Sequence, residues 1–272
     1  MRPLAILIAA AFLVGCGETD EADDRQTVVA GFYPLAWAAE QIGGQDFRVV
    51  NLTPAGAEPH DLELSPRDVT VLRDAALVVY LGGGFQPALD DAVADREGPS
   101  LDVFAGDRDP HVWLDPLSFV QVVMRIGRAL GRPEPAGDVV KELVALDMSY
   151  RRALKRCARR TIVVSHAAFG NLAASYGLTQ LPLTGTSPEA EPSPRELERF
   201  VDEVRESGAT TVFTEPLVSD RLAETVAREA DVKVAVLDPV EGLSDSRLAA
   251  GENYLSVMRS NLEQLRTALG CR

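Results

Sequence analysis

The sequence predicts an α/β fold in two lobes, and three observations carry that reading. Strand and helix signals alternate along the chain, one long helical stretch interrupts the alternation, and the alternation then begins again. Short β-branched runs bounded by Gly, Pro or Asn read as buried strands of a parallel sheet, and the amphipathic stretches between them read as its covering helices.

In order, "TVVAG" reads as a strand, "PLAWAAEQIGG" as a helix stopped by Gly, "FRVVNL" as a strand, "SPRDVTVLRDA" as a Ser-capped helix and "ALVVYLGGG" as a buried strand. Asp115 is placed to cap a helix that starts with Pro116, where a missing N–H costs nothing, and runs to the Gly-Arg-Pro turn. A second helix extends from about Glu134 to Arg156, roughly 30 Å at 1.5 Å per residue. The alternation resumes with "TIVVSH" (strand), "AAFGNLAASYG" (helix), "SPRELERFVDEVRESG" (capped helix), "TTVFTE" (strand), "SDRLAETVAREA" (helix) and "KVAVLDPV" (strand). "LAAGENYLSVMRSNLEQLRTALG" closes the chain as one helix. The predicted layout is an N-terminal lobe at 26–132, a linking helix at 133–159 and a C-terminal lobe at 160–272.

The chain carries 27 basic against 41 acidic residues, a formal net charge of -14. Such a balance argues against a nucleic-acid partner, because a phosphate backbone is gripped by clustered Lys and Arg; a cationic ligand is more plausible. The first fifteen residues, "MRPLAILIAAAFLVG", combine a basic start with an apolar run too short for a stable span, and read as a signal peptide. "LVGC" resembles the bacterial lipobox, which would make Cys16 the lipidated first residue, followed by an acidic tether at 16–25. A signal anchor or soluble export is the other reading, and each takes the protein out of the cytoplasm. Cys157 and Cys271 are then an even pair in a disulfide-permissive compartment, read as a bridge in preference to two buried thiols.

The chain has three histidines, and all sit in turns or at strand ends: His60 in "GAEPHDLELSPRD", His111 in "DPHVWLDP" and His166 in "TIVVSH". Strand ends of α/β lobes are where ligands bind. Asp238, ending the last strand in "KVAVLDP", is the expected fourth donor. Two histidines from one lobe with a histidine and a carboxylate from the other make a four-coordinate site suited to zinc. Glu58, Asp109 and Glu215 are candidates for orienting the imidazoles, with Glu58 also an alternative ligand. Trp113 and Phe169 are expected to pack near the cleft.

The segments "PAGAEPHDLELSPRD", "DPHVWLDP", "SHAAFG", "SPEAEPSPRELERFVD", "FTEP" and "LDPVEGL" occur in the order seen in the metal-binding lipoproteins of ATP-driven zinc and manganese importers, the cluster A-I (cluster 9) family, which this chain resembles over nearly its whole mature length. The resemblance implies two pseudo-symmetric lobes joined by a single long rigid helix, with the metal in the inter-lobe cleft and small closure motions. It implies His60, His111, His166 and Asp238 as ligands; a histidine at 166 matches the zinc-type members, where manganese-type members usually carry glutamate. The long histidine-rich loop of many zinc-type members is absent: the corresponding stretch, "DREGPSLDVFAGDRD", contains no histidine.

The implied function is capture of Zn2+ outside the cytoplasm, in the periplasm or on the outer face of the cytoplasmic membrane, and its delivery by a lipid-anchored monomer to an ABC permease driven by its ATPase. Mn2+ or another divalent transition metal is the alternative cargo. A metal-stabilised adhesin and a zinc hydrolase are the other classes; against an enzyme stands the absence of HExxH or any paired helical ligand motif.

Overall fold

The computed structural model describes residues 24–104, 106, 109–188, 190 and 192–272; the signal peptide, Cys16 and nearly all of the tether lie outside the described residues. The first half contains β1 (Gln26–Ala30), α1 (Tyr33–Gly43), β2 (Phe47–Asn51), α2 (Pro66–Asp74), β3 (Leu77–Tyr80), α3 (Pro87–Ala94), β4 (Ser100–Asp102) and α4 (Pro116–Ala129). Next comes α5 (Pro133–Ala153), followed by β5 (Thr161–Val164), α6 (Gly170–Tyr176), β6 (Thr179–Pro182), α7 (Pro194–Ser207), β7 (Thr211–Thr214), α8 (Arg221–Ala230), β8 (Lys233–Val236), α9 (Asp245–Ala249) and α10 (Tyr254–Leu269).

The strands form two separate four-stranded parallel sheets, ordered β2-β1-β3-β4 and β6-β5-β7-β8. Each half therefore repeats one layout, its second strand outermost and the chain crossing over beside its first. That reversal of strand order is the place where α/β sheets open a crevice for a ligand. Three short elements escape the sequence reading: α3, β4 and β6. β4 and β6 are only three and four residues long, too short to show a period. The predicted closing helix is divided, because Gly251 has a left-handed φ of 82° and Asn253 starts a new capping box with Ser256. Asp115 caps α4 as expected, accepting from the Ser118 N–H.

α5 is 21 residues long, about 31 Å. It packs along α4 and α1, and toward its C-terminal end it reaches α10, where the Tyr150 hydroxyl donates to the Met258 carbonyl at 2.6 Å. The largest apolar cluster runs without a break from Val28, Trp37 and Phe119 of the first half to Phe169, Phe213, Leu237 and Met258 of the second. The outer faces of the sheets have smaller cores, one under α2 and α3, the other under α7 and α8.

Cys157 and Cys271 form a disulfide across 114 residues, beside backbone hydrogen bonds that join residues 156–159 to the chain end. Closing so long a loop restricts the unfolded chain by about 4 to 5 kcal/mol in the loop-entropy account. Replacing both cysteines by serine is expected to lower the melting temperature by about 10 °C, measured in thermal scans with metal occupancy held equal.

Candidate metal centre

Four side chains from four loops converge at the junction of the two halves. His60 lies on a one-turn 3-10 helix (Pro59–Asp61) after β2, and His111 immediately precedes another (Val112–Leu114) after β4. His166 follows β5, and the fourth group is Glu241, on the loop after β8. One donor atom from each of the four lies within 4.8 Å of all the others. Glu241 Oε1 is 3.3 Å from His111 Nε2, 3.5 Å from His166 Nε2 and 3.8 Å from His60 Nε2. Bonds of about 2.0–2.1 Å to a tetrahedral zinc put ligand atoms roughly 3.3–3.4 Å apart; the Glu241 contacts to His111 and His166 are close to that spacing, and the whole set is near enough for a bound ion to draw together. His111, His166 and Glu241 are fully buried, and His60 keeps 11% of its side chain exposed.

The inward-facing atoms have no other use in the protein. Among the described residues, both carboxylate oxygens of Glu241 and the Nε2 atoms of all three histidines are buried without a hydrogen-bond partner, a costly state that a cation would relieve. The outward-facing atoms are engaged. His111 Nδ1 is 2.7 Å from Asp109 Oδ1, and His166 Nδ1 is 2.7 Å from the Glu215 carboxylate. An imidazole that donates its Nδ1 proton to a carboxylate presents its lone pair at Nε2, the tautomer a metal needs.

Each carboxylate is itself fixed. Asp109 also accepts from the backbone N–H of His111 at 3.0 Å and, across the junction, from that of Asn171 at 3.1 Å. Glu215 accepts from the His166 N–H at 3.2 Å. Glu58 accepts from the His60 N–H at 3.3 Å and so stiffens the turn carrying that ligand. The same turn is held from inside by Gln86, whose amide donates to Pro59 O, Thr53 Oγ1 and Gly31 O.

Charge and burial act against each other at this centre. Burial pulls the His166 imidazole down, but Glu215 and Glu241 outweigh it and push its pKa up to about 10. His111 is raised in the same way, Asp109 and Glu241 overcoming burial. Burial would raise the Glu241 carboxyl, yet the facing imidazoles, His111 foremost, hold it well below the usual carboxylate range. Burial, aided by the charge of Glu241, lifts Glu58 to about 8.

Asp238, the expected fourth ligand, stands outside the cluster, and Glu241 occupies that role in the geometry. The Asp238 carboxylate is already committed: Oδ1 accepts from the Val240 N–H at 2.7 Å and Oδ2 from Arg247 Nη1 at 2.7 Å. Its backbone is clamped by Asn261, which accepts from the Asp238 N–H and donates to its carbonyl. With the strand end pinned, the chain turns sharply through Val240, a fully buried β-branched residue at a left-handed φ of 57°, a strained conformation that the surrounding contacts must enforce. The turn delivers Glu241, three residues after Asp238, to the cluster. Trp113 supports it from the other half, its indole N–H donating to Pro239 O at 2.7 Å, while its ring lies 5.1 Å from that of His111. Phe169 is also fully buried in the central core. The available sequence signal was the glutamate in "LDPVEGL", a charged residue between Val and Gly in an apolar run.

A family profile described as zinc-uptake complex component A, periplasmic (ZnuA), matches residues 28–268. The chain belongs to the ZnuA family. Within it, the chain is 33% identical to the zinc-binding lipoprotein AdcA of Streptococcus pneumoniae strain TIGR4 over 98% of its own length and 61% of that relative. It thus spans about three fifths of the AdcA relatives it matches. It is 30% identical to the high-affinity zinc uptake system protein ZnuA of Bacillus subtilis strain 168, over 97% of this chain and 96% of that one. Among solved structures, the laminin-binding protein Lmb of Streptococcus agalactiae, titled a bifunctional protein with adhesin and metal transporting activity, superposes with a TM-score of 0.82 at 31% identity. The match covers 90% of this chain and 99% of that one. The Zn(II)-bound ZnuA-like domain of Streptococcus pneumoniae AdcA superposes with a TM-score of 0.78 at 31% identity and the same coverages. The resemblance read from the sequence motifs and the predicted α/β class are both borne out by these matches.

Proposed function

We propose that this chain is an extracytoplasmic zinc carrier that captures Zn2+ with His60, His111, His166 and Glu241 and hands it to an ABC permease driven by its ATPase. The observation that carries the proposal is the set of buried donor atoms, three imidazole and one carboxylate, unpartnered among the described residues and gathered within 4.8 Å of one another. Asp109 and Glu215 orient the imidazoles and supply negative charge behind them. Imidazole donors favour zinc over the all-oxygen shells of calcium and magnesium. The ion is cargo: four donors fill a tetrahedral shell, whereas catalytic zinc keeps a position open for water.

In the cell the carrier is a monomer held at the membrane by lipid on Cys16. Its lobes at 26–132 and 160–272 are linked through 133–159. Members of the family described as zinc-binding lipoproteins or periplasmic uptake components support this location.

Native mass spectrometry with metal competition tests the function. The mature chain is expected to hold one zinc that excess Mn2+ does not displace, and His166→Ala is expected to lose it. Preference for Mn2+ would make the chain a manganese carrier. A folded protein that takes up no stoichiometric metal would overturn the reading.

A further inference from the structure

Six of the chain's 27 basic residues fall in the ten positions 151–160, "RRALKRCARR", with no acidic residue among them. The run ends α5 and leads into β5 at its N-terminal end, whereas the metal ligand His166 lies beyond the opposite end of that strand. The patch therefore faces away from the metal centre. Its middle is stapled by the disulfide to the chain end, which brings Arg272 alongside through a hydrogen bond from its N–H to Arg156 O.

Part of this cluster is ordered before any ligand arrives. Arg151 is held by Asp147 at 2.9 Å and lies over the Tyr176 ring, with its guanidinium carbon 5.6 Å from the ring centroid. Arg160 caps the end of α5, donating to the Leu154 and Lys155 carbonyls. With Lys155, these two guanidinium groups line an open recess of about 480 Å³ bordered by Ser175, Tyr176 and Gly177. Arg152, Lys155 and Arg156 are exposed, and among the described residues no carboxylate lies within ion-pair distance of them.

We propose that this basic pole docks on anionic phospholipid, the recess taking a headgroup phosphate and the exposed cations lying over its neighbours. The argument for that occupant is charge complementarity. A protein of net charge -14 is repelled by a negative surface at long range. Beyond roughly 8–10 Å salt screens that repulsion, and a concentrated local patch decides the contact. Arginine supplies five of the six cations, the side chain whose planar fork matches phosphate oxygens. The choice of a membrane over other polyanions rests on the proposed lipidation at Cys16, which would keep the pole near a leaflet. Docked this way, the end of the molecule that carries the metal centre stays clear of the membrane.

The test uses the mature chain from residue 17, without lipid, and vesicles of phosphatidylglycerol in phosphatidylcholine against phosphatidylcholine alone. Specific sedimentation with the anionic vesicles is expected, and Arg152→Glu/Lys155→Glu/Arg156→Glu is expected to weaken it at least on the order of 100-fold, from about 1 kcal/mol per basic residue near such a surface. Zinc binding and melting temperature of the triple variant, unchanged, verify that it is folded and separate this proposal from the carrier reading. Equal binding to both vesicle types, or unchanged binding by a folded variant, overturns it. Displacement from vesicles by 10 mM inorganic phosphate at constant ionic strength would make the recess a free-anion site and overturn the lipid assignment.

Discussion

Glu241→Gln is expected to weaken zinc binding at least 100-fold, about 3 kcal/mol, while Asp238→Asn leaves affinity within tenfold of wild type. The first change removes the carboxylate charge facing three imidazoles within 3.8 Å. The second retains an oxygen for the Val240 N–H but loses the charge paired with Arg247, so its effect falls on stability, about 1–3 kcal/mol. Competition with a chromophoric chelator measures the affinities, and denaturant titration of the metal-free proteins measures the stabilities. Reversal of the two affinities would return the fourth ligand to Asp238.

Acidification from pH 8 to pH 6 is expected to reduce zinc affinity by about 100-fold or more. In the metal-free protein the His166 imidazole, raised to about 10 by carboxylates that outweigh its burial, holds a proton across this range. Zinc needs the neutral ring, so each ion bound expels at least one proton, and affinity falls about tenfold for each unit of pH. Glu215→Gln removes the carboxylate that does most to raise this pKa. Its affinity is expected to be flatter with pH and 10- to 100-fold lower at pH 8, the usual effect of removing a group that orients a ligand. Calorimetry in buffers of different ionisation heat counts the protons released. A release of zero across this range would exclude a protonated His166 from the metal-free state.

The histidines were legible in the sequence because each stands in a turn or at a strand end, features set by short-range pattern. Asp109 and Glu215 were legible as neighbours of a ligand and of a strand end in the same way. Glu241 was not, since its placement depends on the turn at Val240, and that backbone conformation is held by Asp238 two residues away and by Asn261 and Trp113 from distant parts of the chain. Periodicity puts Asp238 at the strand end but carries nothing about which carboxylate is already spent on the backbone. The strands β4 and β6 were missed for a similar reason: their existence comes from pairing with β3 and β5, not from any pattern of their own.

The continuous apolar cluster beneath the metal centre limits how the ion can leave. Swinging the halves apart would pull Trp113 off Pro239 and Tyr150 off Met258, and would wet a core that both halves share. A protein working outside the cytoplasm cannot expose that much apolar surface at every delivery without inviting aggregation. On the proposed carrier reading, unloading is then a matter of loops: a ligand-bearing turn would lift while the scaffold below stays dry, and the proposed permease would have only to pry at the rim.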